Sequence, residues 1–192
     1  MYWFNTAATA EENKSKDEMN ISIETKNLNL IPCNSEILKN AIDGNEKLAK
    51  FLGVNIADNW TEFGVAALKY SLDRLAESPE DDGWWTYFPI HKQDNMLIGS
   101  GGYKGRPTET GTVELGYEIA PDYRNNGLAT EMTEGLISNA FADKRVKVIV
   151  AHTLGEVNAS IKVLTKCRFE KVEEINDPDD GLIWKWELKR KP

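Results

Sequence analysis

The chain is short of cysteine, of surplus basic charge and of long apolar runs, and each shortage closes off a class of protein. Only two cysteines occur in 192 residues, Cys33 and Cys167, far apart and in no metal-ligand spacing. Neither a disulfide framework nor a metal site is expected from them, and a reducing compartment, the cytoplasm, is the natural home. Acidic residues outnumber basic ones, 31 to 23, for a formal net charge of -8. With no basic excess to neutralise phosphates, nucleic acid and anionic membrane surfaces are not expected as partners, while cationic partners such as amines are mildly favoured. No stretch approaches the roughly 20 apolar residues that span a bilayer. The opening residues, Met1 to Ala10, lack the basic start and long apolar run of a secretory signal. Two phosphate-binding signatures are missing as well: there is no G-x-x-x-x-G-K-[ST], and no G-x-G-x-x-G follows a strand.

What is present is an ordinary globular composition, 41% hydrophobic and 28% charged, in a length that suits one domain with a substantial core. Residues 11–19 are polar and without apolar period, so 1–20 reads as a flexible leader and 21–192 as the folded domain. Alternation at Ile21, Ile23, Leu28 and Leu30 predicts a half-buried strand ended by Pro32, with Asn34-Ser35 offering a helix cap. Short helices are expected over Glu36 to Ile42 and Glu46 to Leu52. A third is expected from Asn59, which forms a capping-box spacing with Glu62, up to Pro79. Strands follow at Trp84 to Ile90, Met96 to Tyr103 and Thr112 to Ile119. Next come a helix over Leu128 to Ala142, an apolar strand over Val146 to Ala151 and a helix over Asn158 to Lys166. Strands over Phe169 to Ile175 and Leu182 to Leu188 close the chain. The order defines a mixed α/β (α+β) single domain.

The chemistry is expected where the strand ending at Ile119 meets the helix starting near Leu128. Between them lies Arg124-Asn125-Asn126-Gly127-Leu128-Ala129, which fits [RQ]-x-x-G-x-[GA]. Such a loop turns backbone N–H groups toward one point at a helix N-terminus, where the dipole favours an anion. Gly127 removes a side chain that would block the anion, Ala129 permits close approach, Asn125 and Asn126 tolerate turn geometry, and Arg124 adds charge. Taken alone, Asn-Asn-Gly is equally a plain turn.

Strand, Arg124-x-x-Gly127-x-Ala129, helix, strand and then Asn158-Ala-Ser-Ile-Lys-Val-Leu-Thr-Lys-Cys-Arg-Phe169 together resemble the GNAT superfamily of acyltransferases. The branch most similar is that of ribosomal-protein alanine or serine N-terminal acetyltransferases. The resemblance covers Ile21 to Leu188. It implies a mixed central sheet of about seven strands with splayed middle strands and about four helices. It implies acetyl-CoA as co-substrate and no metal, with Arg124 to Ala129 and Thr130 cradling the pyrophosphate. Glu118, Ile119 and Ala120 would meet the pantetheine arm through their backbone. Asn158 and Ser160 would touch the coenzyme, although helix capping alone would account for Asn158.

Acetyl transfer to an amine calls for a base near the thioester. Period-2 alternation puts Glu114, Gly116 and Glu118 on one strand face. Glu114 is the first candidate, because many relatives of that family carry Glu there; Glu118 and the strand-end His152 follow. The chain departs from the family pattern at Thr165, where a Tyr commonly serves as acid, and at Arg168, where Gly commonly precedes the Phe. The Arg points to an altered helix end. The acceptor is expected between the early helices, the Trp84 to Tyr87 strand and the hairpin around Trp184 and Trp186, although core packing is the favoured reading of these aromatics. Protein N-terminus and small-molecule amine both stay open, as do monomer and homodimer. The rival reading from another class is a coenzyme A-binding regulatory module without turnover.

Overall fold

A computed structural model describes residues 22–191; the expected leader lies outside them. Its elements are β1 (Ile23–Glu24), β2 (Leu28–Pro32), α1 (Ser35–Asp43), α2 (Asn45–Leu52), β3 (Asn55–Ile56), α3 (Gly64–Glu77), β4 (Thr86–His91), β5 (Met96–Leu97), β6 (Gly99–Tyr103), β7 (Thr112–Ile119), α4 (Leu128–Ala142), β8 (Val148–Leu154), α5 (Ala159–Lys166), β9 (Glu170–Asp177) and β10 (Gly181–Lys189). The main sheet runs β1-β2-β4-β6-β7-β8-β10-β9, with β3 and β5 pairing beside β4.

Among the described residues, ten strands and five α-helices exceed the expected seven and four. The added strands β1, β3 and β5 have two residues each, too short to leave a period in the sequence. The strand expected over Ile21 to Leu30 is a hairpin, β1 pairing antiparallel with β2. Its turn is held by Glu131 of α4, which accepts from Thr25 Oγ1 at 2.6 Å, Asn27 N at 2.5 Å and Asn27 Nδ2 at 2.7 Å. The third helix starts at Gly64 rather than Asn59, which adopts a left-handed φ of 50° and caps nothing. The backbone N–H groups of Glu62 and Phe63 go instead to Glu118.

Two apolar cores lie on the two sheet faces. On one, α4 and α5 bury Leu115, Met132, Leu136, Ile149, Leu164 and Phe169. On the other, α1 to α3 bury Ile37, Leu38, Leu48, Trp60, Leu68 and Phe88. Trp184 and Trp186 join the first core, and Trp186 Nε1 donates to Thr153 Oγ1 at 3.0 Å. These indoles therefore pack the domain. In β6, Gly102 (φ 137°) lets β4 approach, since a Cβ there would sit 1.9 Å from the Trp85 carbonyl oxygen.

Candidate active site

β7 and β8 run parallel but pair over three rungs only: Thr112↔Val148, Val113↔Ile149 and Glu114↔Val150. Beyond Glu114, β7 keeps its pairing with β6 and β8 its pairing with β10. The two middle strands thus diverge, leaving a wedge between residues 115–119 and 151–154. Tyr117 beside it reaches α5, donating its hydroxyl to the Ser160 carbonyl at 3.2 Å. Burial pushes this phenol well above its ordinary value, so it stays protonated.

The foot of the wedge is the start of α4. Gly127, at the N-cap with φ 80°, offers no side chain, and among the described residues none caps this helix. The first N–H groups of α4 therefore lack the usual capping partner. A Cβ at Gly127 would meet nothing within 4 Å, so the space before the helix is open. Asn125 is left-handed as well, φ 63°, and Asn126 Nδ2 donates to the Tyr123 carbonyl at 3.5 Å. An uncapped, unobstructed helix start of this kind fits an anionic group such as a pyrophosphate. Leu128 is buried, Ala129 and Thr130 half-buried. The Arg124 side chain is already engaged. Its Nε donates to the Ile119 carbonyl at 2.8 Å and its Nη2 to Glu62 Oε1 at 2.5 Å. The Ala120 N–H is engaged too, with the Ile98 carbonyl at 2.7 Å.

The three candidate bases fall into two groups. Odd-numbered Val113, Leu115 and Ile119 join the α4 core, so Glu114 and Glu118 share the opposite face of β7, as alternation predicts. At the last paired rung, Glu114 Oε1 lies 3.1 Å from His152 Nδ1 and bonds Lys104 Nζ. Both Glu114 and His152 keep about a quarter of their side chains open to solvent, 26% and 28%. Glu118, at the other end, is buried. Its Oε1 accepts from Thr61 Oγ1 at 2.7 Å and Ser100 Oγ at 2.6 Å, and its Oε2 from Glu62 N at 2.6 Å and Phe63 N at 3.2 Å.

Asn158 caps α5, its Oδ1 accepting from Ile161 N at 3.1 Å, so its Nδ2 remains available to a ligand. Thr165 lies near the far end of α5. Arg168 keeps the left-handed conformation that Gly favours, φ 66°, and Phe169 N still returns to the Leu164 carbonyl at 3.0 Å. The helix end is therefore unaltered, because backbone closure outweighs the strain of one Arg. Four side chains of the site were not singled out from the sequence: Thr61, Ser100, Lys104 and Tyr117; Glu62 was marked only as a capping-box partner. No local motif gives any of the five a site role; each is delivered by tertiary register. Among the described residues, no group of three or more His, Cys, Asp or Glu side chains is placed to hold a metal ion.

The sequence model of the acetyltransferase (GNAT) domain matches residues 38–170. The chain belongs to this family and is a GNAT N-acetyltransferase. It is 25% identical over 150 residues to the uncharacterized N-acetyltransferase YjdG of Bacillus subtilis (strain 168), covering 78% of this chain and 89% of that protein. Among solved structures, ribosomal-protein-S5-alanine acetyltransferase from Vibrio fischeri superposes with a TM-score of 0.67 at 16% identity, over 88% of this chain and 97% of that one. RimL, a ribosomal alpha-N-protein acetyltransferase solved in complex with coenzyme A, gives 0.66 at 11% identity, over 88% and 98%.

Proposed function

We propose that the enzyme transfers the acetyl group of acetyl-CoA to a primary amine, a protein N-terminus or a small-molecule amine, by direct attack within a ternary complex. The observation that carries this reading is the wedge between β7 and β8, with an uncapped α4 at its foot and a Glu114–His152 pair at its last rung. Residues 124–130 hold the pyrophosphate through backbone N–H groups. Asn158 and the Ser160 turn border the coenzyme arm, and backbone of β7 short of the Ile119 carbonyl pairs with it. RimL, solved with coenzyme A, supports the cofactor assignment.

Of the carboxylates, Glu114 is the one placed to move a proton. It is reachable from solvent, and the His152 imidazole beside it can accept a proton at Nε2 while Nδ1–H donates to the carboxylate. Lys104 fixes the same oxygen. Glu118 has both oxygens occupied by four donors, so its role is to position the α2–α3 connection. Tyr117, protonated and beside the wedge, offers the hydroxyl that position 165 does not. The cytoplasm is the compartment this reading implies, since both thiols, Cys33 and Cys167, are buried and unpaired.

The test is calorimetric titration with acetyl-CoA of the parent and of an Arg124→Glu/Gly127→Trp variant, followed by an amine screen with thiol-release detection. Saturable binding lost in a folded variant, with turnover of an amine, is expected. Binding without turnover of any amine would instead favour a coenzyme-binding regulatory module, and no binding by the parent would overturn the cofactor site.

A further inference from the structure

The connection between α2 and α3, residues 57–63, lines the face of β7 that carries Glu114 and Glu118. Two contacts from the β7–α4 segment pin it. From inside, the Glu118 carboxylate takes Thr61 Oγ1 and the N–H groups of Glu62 and Phe63. From outside, Arg124 Nη2 grips Glu62 Oε1 at 2.5 Å while its Nε stays on the Ile119 carbonyl. The two contacts differ in strength. The inner one is buried; the outer pair is solvent-exposed, with 44% of the Arg124 side chain and 65% of that of Glu62 accessible. An exposed pair of this kind exchanges partners at small cost. Arg124 is also the first residue of the loop that leads into the uncapped start of α4. A diphosphate arriving there meets a guanidinium already engaged by a carboxylate.

We propose that Glu62 and the coenzyme pyrophosphate compete for Arg124, so that an acidic residue on the acceptor-side wall sets coenzyme affinity. Coenzyme binding releases that carboxylate toward the acceptor side while Glu118 keeps the wall's backbone in place. Arg124 is then a positioning residue that links the two substrate sites, and Glu62 is its switchable partner. By linkage, a cationic acceptor that engages the freed Glu62 tightens the coenzyme by the same factor. The inference rests on the reading of residues 124–130 as the coenzyme site.

The experiment is a double-mutant cycle read by calorimetry with coenzyme A itself: parent, Glu62→Gln, Arg124→Gln and the double variant, at low and moderate salt. Glu62→Gln is expected to lower the coenzyme A Kd by about two- to five-fold, the scale of an exposed ion pair. The gain should vanish in the Arg124→Gln background and shrink as salt rises. Glu62→Ala repeats the cycle without the amide oxygen, and melting curves confirm that each variant folds. An unchanged or weakened Kd in Glu62→Gln overturns the proposal, as does an equal gain without Arg124. Failure of the parent to bind coenzyme A is a different result, because it removes the cofactor site on which both readings stand.

Discussion

Glu114 and Glu118 stand four residues apart on one face of β7, yet the fold treats them in opposite ways. Glu118 is buried with four donors on its two oxygens, drawn from β6 and from the α2–α3 connection. Glu114 lies at the last rung before the sheet opens, with one oxygen shared by His152 and Lys104 and a quarter of the side chain in solvent. A carboxylate saturated with donors is a fixture, because protonating it would break the bonds that hold it. One with an open oxygen beside an imidazole can exchange protons with a substrate. Alternation put the two on one strand face, with Glu114 the first candidate and Glu118 behind it; their surroundings set them further apart.

The sharpest way to break this comparison is to remove each in turn. Glu118→Ala strands Ser100 and frees the α2–α3 connection, and it is expected to cost about 3 kcal/mol, since hydrogen bonds to a buried charge are lost together. In a domain of this size that is a fall of about 8 °C in melting temperature. Glu118→Gln, which keeps one acceptor oxygen, should cost roughly half as much. Glu114→Gln is expected to do the reverse: a fall in kcat of about 100-fold with acetyl-CoA and an accepted amine, and a stability change within about 0.5 kcal/mol. A Glu118→Gln variant that loses activity at full stability, or a Glu114→Gln variant that unfolds, would invert the assignment.

Much of the scaffold was legible because its signals are local. The bounds of β7 follow from strict alternation, α4 begins where Asn-Asn-Gly ends a turn, and Asn158 caps α5 as its residue type predicts. What escaped is whatever depends on partners distant in sequence. Asn59 and Glu62 have the spacing of a capping box, but the backbone there is bound by Glu118, 56 residues away from Glu62. Lys104 reaches Glu114 only through the antiparallel register that sets Tyr103 opposite Leu115. His152 reaches it only through the parallel crossover of β7 and β8. Trp184 and Trp186, by contrast, pack the first core, as the favoured reading of these aromatics has it.

Arg168 departs from the family pattern in residue type but not in backbone conformation. The helix end keeps the left-handed turn, with the strain carried by Arg. Arg168→Gly should therefore stabilise the protein by about 1 kcal/mol, the ordinary cost of a non-glycine residue in that region. Denaturant unfolding measures it. No gain, or a loss, would mean that the Arg side chain contributes contacts of equal size.

Glu131 is a third carboxylate, anchoring like Glu118, and gives the smallest effect, but one with a defined sign. Partial burial pushes its pKa up, yet the donors at Asn27 and Thr25 outweigh this and hold it below its ordinary 4.5. A carboxyl whose folded value is depressed binds protons more readily in the unfolded chain, so its contribution is fully present above about pH 4.5 and is lost as pH falls through the lower folded value. Because Glu131 fixes the β1–β2 turn rather than the reaction, Glu131→Gln should flatten the acid limb of the stability curve below that pH. It should leave kcat at neutral pH unchanged, with a stability loss there below about 1 kcal/mol. The contrast with Glu114→Gln is the point of the measurement: one carboxylate should move stability with acid and not rate, the other rate and not stability. A variant at either position that moves both would show that anchoring and catalysis are not divided between separate carboxylates.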